Sequence, residues 1–404
     1  MPFIQQTELN VLNVTNQQSA TGDKPMFTIE ETEPQNAVIK VIGVGGGGGN
    51  AVQHMVNKSL PGVEFLAMNT DVQALRALSV PTKLAIGTSV TKGLGAGANP
   101  ETGRQAALEE TARIGELLDG SHMVFIAAGM GGGTGTGAAP VVAKLARERN
   151  ILTVAVVTRP FAHERRDAQA DAGLDQLAEY VDSLITVSND RLKEADPGFT
   201  LVNAFAAAND VLLGAVEGIS DLIVSHGVIN VDFADVQTVM GINGTAMMGT
   251  GRASGESRAR RAAEAAIDCP LLDDIDMRDA RGVLLNVTAG SSFVLDEYYE
   301  INAMINEIAS DRATFIGGLV IDEVMQEEVK VTIVATGLAD QVRATTRGPR
   351  PVAAKVGGDY SEFDRPPTRR GRREERSKEP ARTTPLDADQ EFLDLPTFLR
   401  RQAD

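Results

Sequence analysis

The chain has 404 residues, 43% of them hydrophobic, and its 55 acidic against 38 basic side chains give a net charge of −17. A single cysteine, Cys269, excludes an internal disulfide and a cysteine-built metal cluster, and it fits a reducing cytoplasmic setting. No apolar run is long enough to span a bilayer, the opening residues lack a signal-peptide core, and an acidic body argues against nucleic acid as the main ligand.

Residues 1–36 are polar, carry no hydrophobic period and read as a disordered extension. The apolar run 37–44 then predicts a buried strand, followed by Gly45-Gly46-Gly47-Gly48-Gly49-Asn50 and a helical run from Ala51. Gly43, Gly45 and Gly48 satisfy G-x-G-x-x-G, which taken alone points to an NAD-type oxidoreductase. Residues 63–69 predict a second strand with the polar exit Asn69-Thr70-Asp71. That exit reads both as a helix cap and as a ribose-binding acid. A third glycine-rich stretch, 93–103, opens a helix expected over 101–118. It can wrap a terminal phosphate with backbone amides, and it can equally be an ordinary surface loop.

The apolar run 123–128 predicts another buried strand, followed by Gly129-Met130-Gly131-Gly132-Gly133-Thr134-Gly135-Thr136-Gly137 and a helix from Ala138. Glycines let the backbone approach a ligand closely, and the free N–H groups at a helix start favour an anion. No Gly-Lys-Ser/Thr follows, so such a site would hold phosphate without a lysine point charge. An oxidoreductase leaves this second glycine loop unexplained, whereas a triphosphate gripped from two sides accounts for both. None of His54, His122, His163 and His226 sits in a hydride-transfer motif.

Further strands are expected over 151–157, which exits into Thr158-Arg159-Pro160-Phe161-Ala162-His163-Glu164-Arg165-Arg166, and over 181–187, which ends at Asn189. In the long helical candidate 199–226, Leu201, Phe205, Ala208, Leu212, Ala215, Ile219 and Leu222 recur at steps of four and three, the stripe of a core-facing helix. Asp232 and Asp235 lie three apart at the start of the next helix, and by spacing alone Asp232 is an N-cap. Residues 241–338 read as a second α/β unit with no catalytic constellation: strands at 246–251, 282–288, 314–321 and 329–336, helices at 256–267 and 295–310. Between 341 and 385, 12 basic residues face 6 acidic ones in an Arg- and Pro-rich linker. Residues 390–401 regain apolar anchors, as a docking peptide after a linker does.

The heptad Gly131-Gly132-Gly133-Thr134-Gly135-Thr136-Gly137 resembles the signature of the tubulin superfamily, and its surroundings resemble the FtsZ family over 37–338 and the tail. The resemblance implies an α/β fold with a Rossmann-like, parallel-sheet GTPase domain (37–200), a long central helix (201–226) and a smaller α/β domain (227–338). A disordered linker (339–388) and a partner-binding peptide (389–404) follow. It places Gly46, Gly47, Gly48, Gly49 and Asn50 against the nucleotide and Asn69 and Asp71 near the phosphates and metal. Ala96, Gly97 and Ala98 would sense the γ-phosphate. Gly133, Thr134 and Gly135 belong to the phosphate loop, and Thr158 and Pro160 to the wall beyond it. Glu164 would bind the ribose, Asn189 would contact the base, Phe205 would stack on guanine and Asn209 would read its edge. By spacing, Phe205 also fits as plain core. The loop at 158–166 is two residues shorter than the family's, and by realignment Arg166 is the best match to the family's arginine, with Arg165 the alternative.

Asn230, Asp232 and Asp235 match the family's synergy loop. A helix of ~24 residues spans about 36 Å, so these groups cannot reach their own chain's phosphates and would act on a neighbour's in a head-to-tail filament. The implied ligands are GTP or GDP with Mg2+ carried on the phosphates rather than held firmly by side chains, and a monovalent cation such as K+. The implied partners are further copies of the chain and, through 390–401, membrane-tethering and regulatory division proteins, without strong direct membrane binding. The implied location is the cytoplasm at the midcell division site. A non-hydrolysing structural filament is the other reading, but structure alone needs no carboxylate pair at an interface.

Overall fold

The computed structural model describes residues 37–338 except 196–199, 226, 243, 270–271, 273–276 and 311. The expected extension (1–36), linker (339–388) and docking peptide (389–404) lie outside the described residues. The first half runs β1 (Ile39–Val44), α1 (Gly45–Asn57), β2 (Val63–Asn69), α2 (Val72–Ala77), β3 (Thr82–Ala85), α3 (Thr88–Thr91), α4 (Pro100–Glu109) and α5 (Thr111–Leu118). It continues through β4 (Met123–Gly129), α6 (Thr134–Arg147), β5 (Leu152–Arg159), α7 (Asp167–Ala178), β6 (Ser183–Ser188) and α8 (Asn189–Ala195). Its strands lie in the order β3-β2-β1-β4-β5-β6, and every neighbouring pair is parallel.

The central strands are apolar on both faces because helices cover both, as parallel sheets require. Val41, Phe125 and Val154 pack with α1 residues such as Val52 and Met55, and with α9 (Leu201–Val224). Ile42, Ile126 and Ala155 pack on the other face against Ala106, Ile114, Ala139 and Ala170 from α4, α5, α6 and α7. The apolar stripe of α9 is therefore core over most of its length: Ala208, Leu212, Ala215, Ile219 and Leu222 are all buried.

After α10 (Phe233–Met240) the second half supplies β7 (Gly244–Ser254), α11 (Arg258–Ile267), β8 (Gly282–Ala289), α12 (Leu295–Ile308), β9 (Thr314–Ile321) and β10 (Glu328–Leu338). These strands continue the same ten-stranded sheet in the order β6-β7-β10-β8-β9. The junction is short: β6 and β7 run parallel through Ser183–Gly244, Leu184–Thr245 and Ile185–Ala246. β10 is antiparallel to both of its neighbours, and β8 pairs in parallel with β9. The two faces differ in chemistry. Val283, Leu285, Val287, Val331 and Ile333 form an apolar layer with α11 and α12. Asn286, of opposite parity, donates to the Gly218 carbonyl of α9 at 3.0 Å, and Lys330 pairs with Glu217 at 2.6 Å.

Two expectations change. The helix over 101–118 is two helices, because the backbone leaves helical geometry at Glu110 (φ −101°, ψ 20°) and the Thr111 hydroxyl bonds the Leu108 carbonyl. The glycine runs are less loop than expected, since α1 begins at Gly45 and α6 at Thr134. Glycine is tolerated there because a helix and another backbone meet without room for a side chain. Gly48 is buried against the Ala127 carbonyl and Gly43, and Gly137 lies against the Pro100 carbonyl and the Arg104 amide of α4.

Candidate active site

The sheet reverses its winding between β1 and β4, and ligands of such sheets bind in the crevice beyond the strand ends at that point. Val44 and Ala128 are register partners, so the helix starts that follow β1 and β4 lie side by side. They leave no room for a side chain between them: a Cβ on Gly45 (φ +76°) would stand 2.8 Å from the Gly135 nitrogen. The polar exit of β2 joins them, with the Thr70 and Thr134 hydroxyls 2.6 Å apart. Asp71 caps α2, accepting from the Gln73 amide at 2.8 Å and the Ala74 amide at 3.0 Å, while Asn69 accepts from the Asp71 amide at 3.2 Å. The cap reading of this exit thus holds, and it stands within the candidate phosphate region. The third glycine stretch leans on the same place. The Gly95 amide donates to the Thr70 carbonyl at 3.2 Å, and Gly133 packs against Asn99 and Ala96. Gly97 and Ala98 are both left-handed, at φ 59°.

A cleft of about 300 Å³ opens beyond these turns. Gly47 and Asn50 of α1 and the backbone at Gly129, Met130 and Gly132 form its glycine-rich end; Thr158, Pro160, Glu164 and Arg166 form one wall. Asn189 and the first turns of α9, with Phe205, Ala208, Asn209 and Leu212, close the rest. Glu164 is held by its own turn: one carboxylate oxygen accepts from the Phe161 amide at 3.0 Å, and the other lies 3.8 Å from the Arg166 guanidinium. Arg165 is left-handed (φ 54°) and ends that turn, so Arg166, not Arg165, lines the cleft. Phe205 is 47% exposed and meets Phe161 edge-on at 5.6 Å, which takes it out of the core and leaves a ring face free for stacking. Asn189 is buried, and its Oδ1 has no hydrogen-bond partner. A buried, unsatisfied acceptor lining a cleft fits a ligand that brings an N–H donor.

The remaining candidates sit around the cleft rather than on its surface. Gly46 is exposed, Gly48 and Gly49 are buried in the first turns of α1, and Thr134 and Gly135 are buried at the start of α6. Met130, Ala208 and Leu212 line the cleft although the sequence did not single them out as ligand contacts. Position 130 lies inside the glycine motif. Ala208 and Leu212 follow Phe205 by three and seven residues, so helical periodicity from Phe205 and Asn209 would have found them.

Asn230, Asp232 and Asp235 do not line the cleft. They follow the far end of α9, whose 24 residues span about 36 Å. Asn230 accepts from the Gly227 amide at 2.7 Å, and Ile229 bridges to Leu319 of β9. Asp232 caps α10, accepting from the Asp235 amide at 2.8 Å. Both aspartates are exposed, and the Asp235 carboxylate has no partner among the described residues.

A parallel 3-2-1-4-5-6 sheet, glycine-rich helix starts at its reversal point and a long helix closing the cleft define a nucleotide-binding α/β domain. Residues 38–196 match the GTPase domain of the Tubulin/FtsZ family, and residues 244–339 match the C-terminal domain of the FtsZ family. The chain belongs to the FtsZ family. It is 52% identical to the cell division protein FtsZ of Pseudomonas putida, over 94% of this chain and 100% of the relative. It is 53% identical to that of Coxiella burnetii, over 93% and 99%. Among solved structures, the empty FtsZ dimer of M. jannaschii matches with a TM-score of 0.73 and 41% identity, covering 76% of this chain and 90% of that one. CetZ2 of Haloferax volcanii, at 21% identity and a TM-score of 0.64, shares the fold. Among the described residues no helix is long and apolar enough to cross a membrane.

Proposed function

We propose that the chain polymerises head to tail in a GTP-dependent manner, and that each nucleotide site is completed by the synergy loop of the next subunit. One observation carries this reading: the cleft and the Asn230–Asp235 segment stand at opposite ends of α9, with an exposed carboxylate at the far end that has no partner among the described residues. A head-to-tail contact that does not close on itself brings the two ends together and generates a filament.

The chain's own residues then divide the work. Backbone amides at Gly47, Gly132 and the 96–98 turn bind the phosphates. Glu164 and Arg166 take the ribose side, while Phe205 stacks on the base and Asn189 and Asn209 bond it. Asp232 and Asp235 orient the attacking water from across the contact. Phosphoryl transfer depends on such positioning and on charge neutralisation. The site is rich in amides and hydroxyls, including Thr70 and Thr134, so a Mg2+ ion fits as a partner of the phosphates, where it supplies charge neutralisation beside Asn69 and Asp71. The assembled filament would form the cytoplasmic ring at the division site, with residues 390–401 docking tethering and regulatory proteins.

The test is GTP hydrolysis as a function of protein concentration, with ATP as control. The expected result is little turnover below a threshold and a rise in proportion to the excess above it. Turnover proportional to protein at every concentration would place the whole site in one chain and remove the role given to Asp232 and Asp235.

A further inference from the structure

Gln169 is half-buried in the first turn of α7. Its side-chain nitrogen donates to the carbonyls of Gly131 at 2.8 Å, Gly132 at 3.0 Å and Ala98 at 3.1 Å. Three carbonyl oxygens accept and none donates, so the NH2 end of the amide, with two N–H groups, is the end that faces them. The acceptors come from two separate turns. Gly131 and Gly132 belong to the turn between β4 and α6, and Ala98 to the turn before α4. Ala98 holds a left-handed conformation that an L side chain adopts only when its surroundings impose it. Gly131 (φ +91°) is fixed from its other side as well, because its amide donates to the Thr136 hydroxyl at 2.9 Å. Arg166, which lines the cleft, is the N-cap of the same helix. One helical turn therefore touches both the cleft wall and the turn placed over the last phosphate.

We propose that Gln169 is a positioning residue for the terminal phosphate. By tying Ala98 to Gly131 and Gly132, it holds the 97–98 turn against the glycine rim, so that the amides there are set for a third phosphate and matter little to a diphosphate. This rests on the reading of the 96–98 turn as the γ-phosphate turn. Gln169 touches no reacting atom; its effect passes through the two backbone turns.

The full chain would be tested with Gln169→Met, which keeps length and removes both donors, and with Gln169→Glu, which turns a negative charge toward three carbonyl oxygens. Dissociation constants for GTP and GDP would be measured by competition below the assembly threshold, beside amide exchange of the nucleotide-free protein. We expect GTP affinity to fall about tenfold in Gln169→Met and further in Gln169→Glu, with GDP affinity within about twofold of the unmodified protein. Exchange should quicken in 93–103 and stay unchanged in 170–178. Equal losses for GTP and GDP, or faster exchange throughout α7, would reduce Gln169 to a prop for the fold and overturn the proposal, as would unchanged GTP affinity. If the Met variant fails to fold, Gln169→Asn, too short to reach all three carbonyls, answers the same question. Failure of the underlying nucleotide reading is distinguishable, because the unmodified protein would then not bind GTP.

Discussion

The Asp232 carboxylate accepts the Asp235 amide and so caps α10 whatever else it does. Capping and catalysis can be separated by substitution, because Asn caps a helix about as well as Asp while carrying no charge. Asp232→Asn should keep the thermal midpoint within about 2 °C and reduce assembly-dependent GTP turnover at least tenfold, whereas Asp232→Ala should also lose roughly 1 kcal/mol of stability. A calorimetric scan beside a phosphate-release assay distinguishes the two. Asp221 on α9 gives a pH prediction. Burial raises its pKa from 3.8 to about 6, with Glu217 and Asp322 pushing the same way against Lys330. The folded chain then holds this proton more tightly than the unfolded chain. The group's contribution is complete below pH 3.8 and is lost as pH rises through about 6. Asp221→Asn should therefore stabilise the protein by roughly 2–3 kcal/mol at pH 8 and by almost nothing at pH 4, as read from denaturant midpoints at the two pH values.

At the scale of elements, the glycines of the two motifs do different jobs, and single methyl groups tell them apart. A Cβ on Gly48 would enter the Ala127 carbonyl, whereas one on Gly132 meets nothing within 4 Å and would project toward the cleft that Gly132 lines. Gly48→Ala should cost about 2–3 kcal/mol of folding stability through overpacking. Gly132→Ala should leave the unfolding midpoint nearly unchanged and weaken GTP binding about tenfold. Urea unfolding and nucleotide titration on both variants check this. The difference was not legible in the sequence, where both glycines belong to similar runs. Which backbone approaches Gly48 depends on β4, some eighty residues later, so local chemistry cannot report it. The break at Glu110 escaped for the same kind of reason. The run from Pro100 to Leu118 has helical composition throughout, and the change of direction serves packing of Ile114 and Leu118 beneath the sheet.

For the whole molecule, the separation of cleft and carboxylates by α9 makes a prediction about mixtures. Asp235→Ala protein loaded with labelled GTP, alone and with an unlabelled chase, should release almost no labelled phosphate. A trace of it mixed with excess unmodified protein should release label at close to the normal rate, because its own cleft is intact and its neighbour supplies the acids. Release that stays near zero in the mixture would show that the acids serve the chain that carries them.

Sequence alone was enough for the alternation of strand and helix, the positions of the three glycine-rich segments, the long apolar helix and the acids after it. Each is written in local periodicity or in residues whose backbone preferences are strong. It also carried the family, through Gly131–Gly137 and its surroundings. Which of these meet is set by packing between segments far apart in the chain. The shortened loop favoured Arg166 by realignment but left Arg165 open, and the left-handed turn at Arg165 leaves Arg166 on the cleft. Spacing fitted Phe205 to the core and the family resemblance to stacking, and packing leaves it 47% exposed beside Phe161. Gln169 carried no signal at all, because its meaning lies in three carbonyls contributed by two distant turns. Contacts between segments far apart in the chain have no local signature; they exist once the sheet has set which turns are neighbours.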